Sequence, residues 1–504
     1  MGFDVLVESV FSWRDAQRRR QKTTLPGLLA RLASGALADF PRLRTHQLHP
    51  WCMFLTQLAA IALHRAQTSD PRLSEDAWRP LLLALTGDRH EPWSLVVDDL
   101  SQPAFFQPPV PEGSVERWKT CESPDDIDVL ATAKCHDVKR GLIQGDDTEA
   151  WVYALSTLQT TQGYPGRGYT RVARMNGGYG NRPRIGLARD QTLSMRFLRD
   201  VEVLLEEWPR LIARGYGEDG VALAWTEPWD GQTSLAMLEL APHFIEVCWR
   251  VRCRTDGAQV CCRYTNTRKR RCLAEIDNGD VGDAWIPIER TKGTALTVGG
   301  RGFPYDLLTK LLFEGDFEPA PAQVQRAGDG DPMVFTASAL ARGQGKTNGL
   351  HERVLMLSGA VRRTLGQADS RAALGKRAAA RVEAVTRMRR KVLYPARKSL
   401  ALGEVPRDDL DTRVDDMFFD HLFDTLSRND DDAQLSFDAQ LRTLAWNELQ
   451  HIIDRSSFAD ARRYRAISDA ERMFRGCLRR QFPDLVAAEA SSRDALSGAT
   501  VDDG

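Results

Sequence analysis

The sequence predicts an α+β fold, in which a large, irregular mixed α/β N-terminal domain is followed by a C-terminal helical bundle of the four-helix kind. Up to about residue 350, short apolar runs alternate with many Gly, Pro and Trp residues, which is typical of strands and helices joined by long loops. After Pro406, apolar residues recur at helical spacing. A segment rich in Pro, Ala and Gly, 316–347, separates the two parts. We therefore expect a body at 1–347, a bundle at 348–490 and a disordered tail at 491–504.

Four apolar stripes predict the helices of the bundle. In each, most apolar residues follow one another at intervals of three or four positions, so that one face of a helix would be buried. The stripes are Leu350/Val354/Leu357/Val361, Val414/Phe418/Leu422/Leu426, Phe437/Leu441/Leu444/Leu449/Ile452, and the stretch from Tyr464 to Phe482.

The composition excludes several classes of protein. A chain of 504 residues with 42% hydrophobic and 27% charged residues is globular rather than disordered or collagen-like. The longest apolar stretch, Trp51 to Leu63, is shorter than the roughly 20 residues of a membrane-spanning helix, and predicts a buried helix. The first twenty residues do not resemble a secretory signal. Together with nine cysteines, an odd number, these features predict a protein of the reducing cytoplasm.

The formal net charge of −1 hides a strongly basic segment. Residues 361–400 contain twelve Lys or Arg residues and only two acidic ones. Helical spacing would align cations on one face, where like charges repel unless a phosphate backbone neutralises them. An acidic surface of another protein would be an alternative partner. The cations predicted on this face are Arg377, Arg381, Arg387, Arg390 and Lys391.

The most unusual segment is 160–187, here called the glycine segment, which combines seven glycines, three tyrosines and five arginines without an acidic residue. Glycines allow close approach of a backbone, arginines bind phosphates or guanine edges, and tyrosines stack on bases. The segment therefore suits a loop that reads nucleic acid. A basic surface loop whose glycines only form turns is the alternative.

Residues Arg342 to Thr347 end in Gly-Lys-Thr and precede a predicted helix, as in a phosphate-binding P-loop. The match is incomplete because Leu340 stands where the motif requires glycine. A loop that offers Gln344, Lys346 and bare backbone to another polyanion is the preferred interpretation. The P-loop interpretation keeps a stand-alone nucleic-acid-dependent NTPase or nuclease open as an alternative function.

A cysteine cluster and a basic run lie next to each other. Cys248, Cys253, Cys261 and Cys262 could hold a structural zinc, although no pair of Cys-x-x-Cys knuckles is present, and a hairpin with buried thiols is the alternative. The basic run follows at residues 263–271 and ends in four consecutive cations, Arg268 to Arg271. It predicts a contact with phosphates or with a minor groove.

The chain offers few candidates for catalysis. His351 and Glu352, like Glu448 and His451, lie in predicted helices without further ligands, and no zinc-protease, serine-hydrolase or His-Asn-His pattern occurs. We therefore expect neither a catalytic site nor a required cofactor.

The order of these segments resembles the large-subunit (CasA) family of the type I-E CRISPR Cascade complex. The resemblance covers almost the whole chain: a strand-like start at 3–6, an apolar helix at 55–65, Pro103 to Gln107, a lysine-containing loop at 136–141, the glycine segment, the cysteines, the Gly-Lys-Thr loop and the bundle.

The resemblance implies a non-catalytic subunit that recognises a protospacer-adjacent motif in double-stranded DNA and starts unwinding for R-loop formation. Implied partners are the guide RNA ribonucleoprotein, other Cascade subunits and a recruited helicase-nuclease that degrades the target in antiviral defence. The implied motif-reading residues are Gly163, Gly166, Arg167, Gly168, Arg171, Lys269, Arg270 and Arg271. The implied wedge under the first base pair is Gln344, Gly345, Lys346 and Thr347. Lys139 and Arg140 join the bundle cations as contacts to the DNA backbone.

Overall fold

The computed structural model describes residues 3–130, 147–163, 170–173, 181–257, 259–273, 278–343, 346–400, 404–456, 460–488 and 490. The chain forms two compact units: residues 1–303 with 316–359, and residues 304–315 with 360–504. The predicted boundary at residue 347 therefore falls inside the first unit, and the predicted tail at 491–504 lies outside the described residues. None of the described helices combines the length and the apolarity that a bilayer crossing needs.

The helices of the first unit surround one long buried helix. They are α1 (Leu25–Ser34), α2 (Leu48–Arg65), α3 (Glu75–Ala84), α4 (Thr148–Thr161) and α5 (Leu193–Arg214). Side-chain caps at Thr24, Ser74 and Thr192 accept backbone N–H bonds that the first turn cannot satisfy. Helix α2 is buried from His49 to Leu63 and packs against α4 and α5, so the predicted buried helix is confirmed.

The strands of the first unit form small, mostly antiparallel sheets. They are β1 (Phe11–Arg14), β2 (Arg20–Thr23), β3 (Lys119–Cys121), β4 (Arg184–Ala188), β5 (Val221–Leu223), β6 (Leu240–Ile245), β7 (Arg250–Asp256), β8 (Gln259–Thr265), β9 (Ile288–Glu289), β10 (Thr294–Ala295), β11 (Phe317–Glu318), β12 (Met333–Gly343) and β13 (Lys346–Leu357). The sheet orders are β1-β2, β3-β8-β7, β13-β12-β4, β10-β9-β11 and the parallel pair β5-β6. The expected strand at 3–6 is wrong, because Asp4 forms only an isolated bridge with Ser94.

Aromatic rings fill the core of the first unit. The ring centroids of Trp51 and Phe54 lie 5.1 Å apart, those of Phe54 and Phe106 5.0 Å, and those of Phe106 and Trp225 4.7 Å. Tilted contacts of this kind stabilise by about 0.5–1.5 kcal/mol per pair beyond the area they bury. The side chain of Gln107, fully buried, accepts the backbone N–H of Cys253 at 2.5 Å, and so ties this core to β7.

The second unit is helical. It comprises α6 (Tyr305–Thr309), α7 (Gly359–Gly366, whose first residue belongs to the first unit), α8 (Ala368–Arg387), α9 (Tyr394–Leu400), α10 (Leu410–Asp415), α11 (Phe418–Asp424), α12 (Asp430–Arg455) and α13 (Asp460–Gln481). A π-helix, Met388–Leu393, joins α8 to α9. Phe437, Leu441 and Leu449 of α12 are buried, as their stripe predicts. The α+β class with C-terminal helices is confirmed.

The predicted helix at 350–361 is wrong. Residues up to Leu357 belong to β13, which pairs with β12 from Leu357↔Met333 to Lys346↔Gly343. Leu355 and Leu357 are buried whereas Val354 and Met356 are exposed, which is the two-residue alternation of a strand. Pairing with β12 decided the conformation, because tertiary contacts override the helical preference of a short apolar stripe.

Candidate nucleic-acid interface

The two ends of the glycine segment are held together at the C-terminal end of α4. The backbone N–H of Gly163 donates to Asn181 Oδ1 at 2.7 Å, and that of Ala173 donates to the Gln162 carbonyl at 2.9 Å. The backbone N–H of Arg182 donates to the Thr161 carbonyl at 3.0 Å. Of the predicted motif-reading residues, Gly166, Arg167 and Gly168 lie outside the described residues.

The glycine segment meets the basic run that is predicted to act with it. Thr170 Oγ1 donates to the carbonyl oxygen of Thr267 at 2.8 Å, just before the four consecutive cations. The guanidinium of Arg171 stacks over the ring of Trp249 at 3.7 Å and lies 5.8 Å from the ring of Tyr264. Two segments about a hundred residues apart in sequence are thus fixed side by side.

Arg171 forms part of this junction rather than of an exposed surface. Its side chain is 7% exposed, and desolvated cation–π contacts contribute about 2 kcal/mol. The rings of Trp249 and Tyr264 also contact one another, with centroids 5.3 Å apart. The burial corrects the predicted role of Arg171, because its guanidinium holds the glycine segment against Trp249, just before β7, and against Tyr264 of β8. A direct reading contact would have to come from other residues.

The basic run is divided between exposed and buried cations. The backbone N–H groups of Arg268 and Lys269 donate to the Gly231 carbonyl at 2.7 and 3.1 Å, in a turn where Gly231 has a φ of 80°. Both side chains are exposed. Arg271 is 3% exposed, donates to the Glu227 carbonyl at 3.3 Å and lies 5.7 Å from the ring of Trp229. Burial lowers the pKa of Arg271, so this predicted reading residue is an anchor.

The predicted wedge lies at the turn of the hairpin β12-β13. Arg342 pairs with Thr347 and Gly343 with Lys346, whereas Gln344 and Gly345 lie outside the described residues. The last β12 residue that pairs with β4 is Ser338, opposite Arg184, so β12 continues for five residues beyond that sheet edge. At about 3.3 Å per residue the hairpin extends roughly 17 Å further. It leaves the sheet at Arg184, the first residue of β4, which comes three residues after Asn181, the residue that holds Gly163.

The same hairpin contradicts the P-loop interpretation. A P-loop needs a helix directly after Gly-Lys-Thr, because the N-terminus of that helix binds the phosphates. Here Lys346 begins strand β13 instead. His351 and Glu352, which were expected on a helix, also lie on this strand.

The other acidic candidate, Glu448, is a buried residue of α12. It accepts a hydrogen bond from Arg413 Nε at 2.6 Å.

Two further arginines of the glycine segment are structural. Arg182 is 1% exposed and donates through Nε to Asp283 Oδ2 at 2.7 Å. Arg184, 3% exposed, donates to Asp200 Oδ2 at 2.6 Å, and the indole N–H of Trp285 donates to the same oxygen at 2.9 Å. Buried guanidinium groups need such partners, so these arginines anchor β4 and do not contribute to a cationic surface.

The cationic face predicted for the bundle does not exist as a continuous row. Arg381 is completely buried, donates to Thr425 Oγ1 at 2.8 Å and has a pKa lowered to about 10 by burial. Arg377 donates to Asp430 and to the Thr425 carbonyl, and Arg387 stacks 4.8 Å over the ring of Phe482. Arg390 and Lys391 are exposed. Three of the five predicted cations therefore contact acidic, aromatic, hydroxyl or carbonyl groups of neighbouring segments instead of forming an exposed row. Lys139 and Arg140 lie outside the described residues.

The four cysteines predicted as a zinc set are not arranged around a metal. Cys253 and Cys262 form a disulfide between β7 and β8, and Cys261 is opposite Arg254 in the same pairing. Cys248 donates to the Leu158 carbonyl at 3.3 Å, and burial raises the pKa of its thiol well above the ordinary value, which disfavours the thiolate a metal needs. Within the described part of the chain, His, Cys, Asp and Glu form no group of three or more that could hold a metal.

Sequence reasoning missed Trp249 and Glu227 as partners of the junction. Trp249 is 78 residues from Arg171, and nothing in its neighbourhood signals a cation partner. The run of residues 263–271 did identify the correct loop, but an alternating strand followed by a turn does not reveal which of its cations point inward.

Known structures share this fold, although no protein-family model and no curated protein sequence matches the chain. CasA (Cse1) of Thermus thermophilus superposes with a TM-score of 0.63 at 13% identity, over 95% of this chain and 100% of that one. Cse1 of Acidimicrobium ferrooxidans gives 0.60 at 14% identity, over 96% and 99%. A chain of a CRISPR RNA-guided surveillance complex gives 0.56 at 14% identity, over 94% and 99%. The chain therefore has the fold of the Cse1 (CasA) proteins over nearly its whole length.

Proposed function

We propose that this protein is the large, non-catalytic subunit of a type I-E CRISPR Cascade complex, which recognises a protospacer-adjacent motif and starts the opening of target DNA. The observation that carries the proposal is the junction of the glycine segment with the basic run, made by Thr170, Thr267 and Arg171. In a chain with the Cse1 fold, this junction fixes Thr170 and Arg171, described residues of the glycine segment, next to the loop that carries the exposed cations Arg268 and Lys269. Glycines and cations in neighbouring loops suit a groove contact.

The residues divide the task between anchoring and contact. Arg171 and Arg271 are buried and fix the two loops, while Arg268 and Lys269 are exposed and would bind phosphates next to the motif. The glycine loop that begins at Gly163 would approach the base edges. The hairpin β12-β13, at the end closed by the pair Gly343 and Lys346, would enter the duplex as the wedge. Because R-loop formation is nearly balanced in free energy, a few contacts at its starting point are sufficient to decide it.

Three kinds of partner would act together with this chain. A guide RNA ribonucleoprotein would read the target by base pairing, other Cascade subunits would hold that RNA, and a recruited helicase-nuclease would degrade the DNA. The solved chain described as part of an RNA-guided surveillance complex supports an assembly of this kind. A stand-alone NTPase is disfavoured because a strand, not a helix, follows Gly-Lys-Thr.

The test uses the full chain with and without its proposed partners. The chain is coexpressed with a guide RNA and the remaining type I-E subunits, and the purified complex selects duplexes from a library with randomised positions beside the target. We expect copurification and enrichment of a short motif, and Lys269→Ala should weaken the binding of the selected duplex.

The matched control is Lys292→Ala, which removes an exposed lysine that pairs with Glu289 on another sheet of the same unit. This variant should bind the selected duplex normally. A chain that neither joins the complex nor enriches a motif would refute the proposed function, and ATP- or metal-dependent cleavage by the isolated chain would favour the enzyme alternative.

A further inference from the structure

A cavity in the second unit is lined by three arginines and one tyrosine. Arg390, Tyr394 and Arg397 follow each other at intervals of four and three residues across the junction of the π-helix with α9, and Arg389 lies beside them. These four residues line a volume of about 420 Å³. Small-molecule sites typically enclose about 300–1,000 Å³, and π-helical turns are frequent at functional sites.

Two of the arginines are held in place by acidic residues behind them. Arg389 donates through Nε to Asp408 Oδ1 at 3.0 Å and through Nη1 to Asp411 Oδ2 at 2.7 Å. Arg397 pairs with the same Asp408 and donates to the Pro406 carbonyl at 2.9 Å. The positions of both guanidinium groups are therefore fixed before any ligand arrives, which lowers the entropic cost of binding.

Hydrogen-bonding capacity remains on these groups. The side chain of Arg397 is 8% exposed, and its buried Nε has no hydrogen-bond partner among the described residues. Arg390 is exposed and, within the described part of the chain, forms no ion pair. The cavity thus offers more positive charge than its acidic residues neutralise.

An exposed aromatic ring completes the cavity. Tyr394 is 44% exposed, and the guanidinium of Arg397 lies 5.8 Å from its ring. One guanidinium group can donate two parallel N–H bonds to the oxygens of a phosphate, and tyrosine rings stack on nucleobases. Arginines without an aromatic surface would suit any anion, but the combination favours a phosphate that carries a base.

We propose that this cavity binds a nucleotide, with Arg389, Arg390 and Arg397 around the phosphate and Tyr394 against the base. The nucleotide can be free, or it can be a single unit of a nucleic-acid strand; the chemistry of recognition is the same. The site goes beyond the proposed function, because it reads no motif and lies entirely in the other compact unit.

The experiment measures binding of ADP, inorganic pyrophosphate and adenosine to the full chain by titration calorimetry. We expect ADP to bind more tightly than pyrophosphate, and adenosine more weakly than either. Arg390→Gln should weaken both phosphate ligands about tenfold, and Tyr394→Leu should weaken ADP while sparing pyrophosphate. Lys376→Gln removes an exposed cation of α8 outside the cavity and should change nothing.

A second arm separates the two sources of the nucleotide. In this arm, short oligothymidylates with and without a 5′-phosphate replace ADP. Binding of the oligothymidylates but not of ADP assigns the site to a nucleic-acid strand, and binding of ADP assigns it to a free nucleotide. Either result supports the site if Arg390→Gln weakens it. Absence of saturable binding by all these ligands at millimolar concentration overturns the proposal, as does an equal loss in Arg390→Gln and Lys376→Gln.

Discussion

The division of the basic run into an anchor and a contact can be tested with two substitutions two residues apart. Arg271→Met and Lys269→Met remove the same charge and keep an unbranched apolar stem. Arg271 is 3% exposed whereas Lys269 is exposed, so the two changes act on different quantities. The first should lower the stability of the fold, and the second should lower the affinity for DNA.

The size of the Arg271 effect follows from its surroundings. The methionine leaves the Glu227 carbonyl without the donor that now lies at 3.3 Å, which costs about 1–3 kcal/mol. It also removes the cation–π contact with Trp229, at 5.7 Å, which contributes roughly 1–2 kcal/mol in a desolvated site. Burying the charged guanidinium costs free energy, which is also why the pKa of Arg271 is lowered. The methionine avoids this cost, so part of the loss is offset. We therefore expect a net loss of about 1–3 kcal/mol.

The Lys269 effect is electrostatic. Loss of an exposed lysine changes the free energy of unfolding by less than about 0.5 kcal/mol. If Lys269 binds one phosphate, the plot of log affinity against log salt concentration should become shallower by about 0.9.

Urea unfolding followed by tryptophan fluorescence measures the stability, and fluorescence anisotropy with a labelled duplex at several salt concentrations measures the slope. If Arg271→Met leaves stability unchanged and reduces the salt slope as Lys269→Met does, Arg271 is a DNA contact and not an anchor. An unchanged slope in Lys269→Met with normal stability in both variants would likewise contradict the assignment of contact and anchor.

Three further predictions concern buried charges. Asp200→Leu should destabilise the first unit by about 3–5 kcal/mol, because it leaves Arg184 buried without its partner. In urea unfolding, the double variant with Arg184→Met should be more stable than Asp200→Leu alone. A strictly additive loss of stability in the double variant would contradict this. Arg381→Met should remove the hydrogen bond to Thr425 and lower the unfolding midpoint, while the salt slope of DNA binding stays unchanged; a shallower slope would restore its predicted role as a DNA contact. Burial, aided by the charge of Arg381, lowers the pKa of His421 from 6.5 to about 4, so the unfolded chain takes up the proton first as the pH falls. The contribution of His421 to the free energy of unfolding is therefore complete above pH 6.5 and is lost as the pH falls from about 6.5 to about 4. His421→Gln should flatten this pH profile, measured by urea unfolding at several pH values.

Local patterns were sufficient for the long elements. The apolar run at Trp51–Leu63 and the stripe through Phe437 and Leu441 predicted α2 and α12, because a buried helix of this length requires its own repeat of apolar residues. The stripe at Leu350/Val354/Leu357 predicted a helix incorrectly, since its partner strand lies earlier in the chain and a short run cannot reveal that pairing.

The sequence by itself determined where cations and glycines concentrate, and hence which loops are candidates for a nucleic-acid interface. Only the tertiary structure decided which of those cations face outward. Arg171 is buried by Trp249, Arg271 by Trp229 and Arg381 by Phe437, and each of these rings lies between 42 and 78 residues away along the chain. A guanidinium is exposed or buried according to the partners that the fold brings to it, and no local pattern encodes partners at that distance.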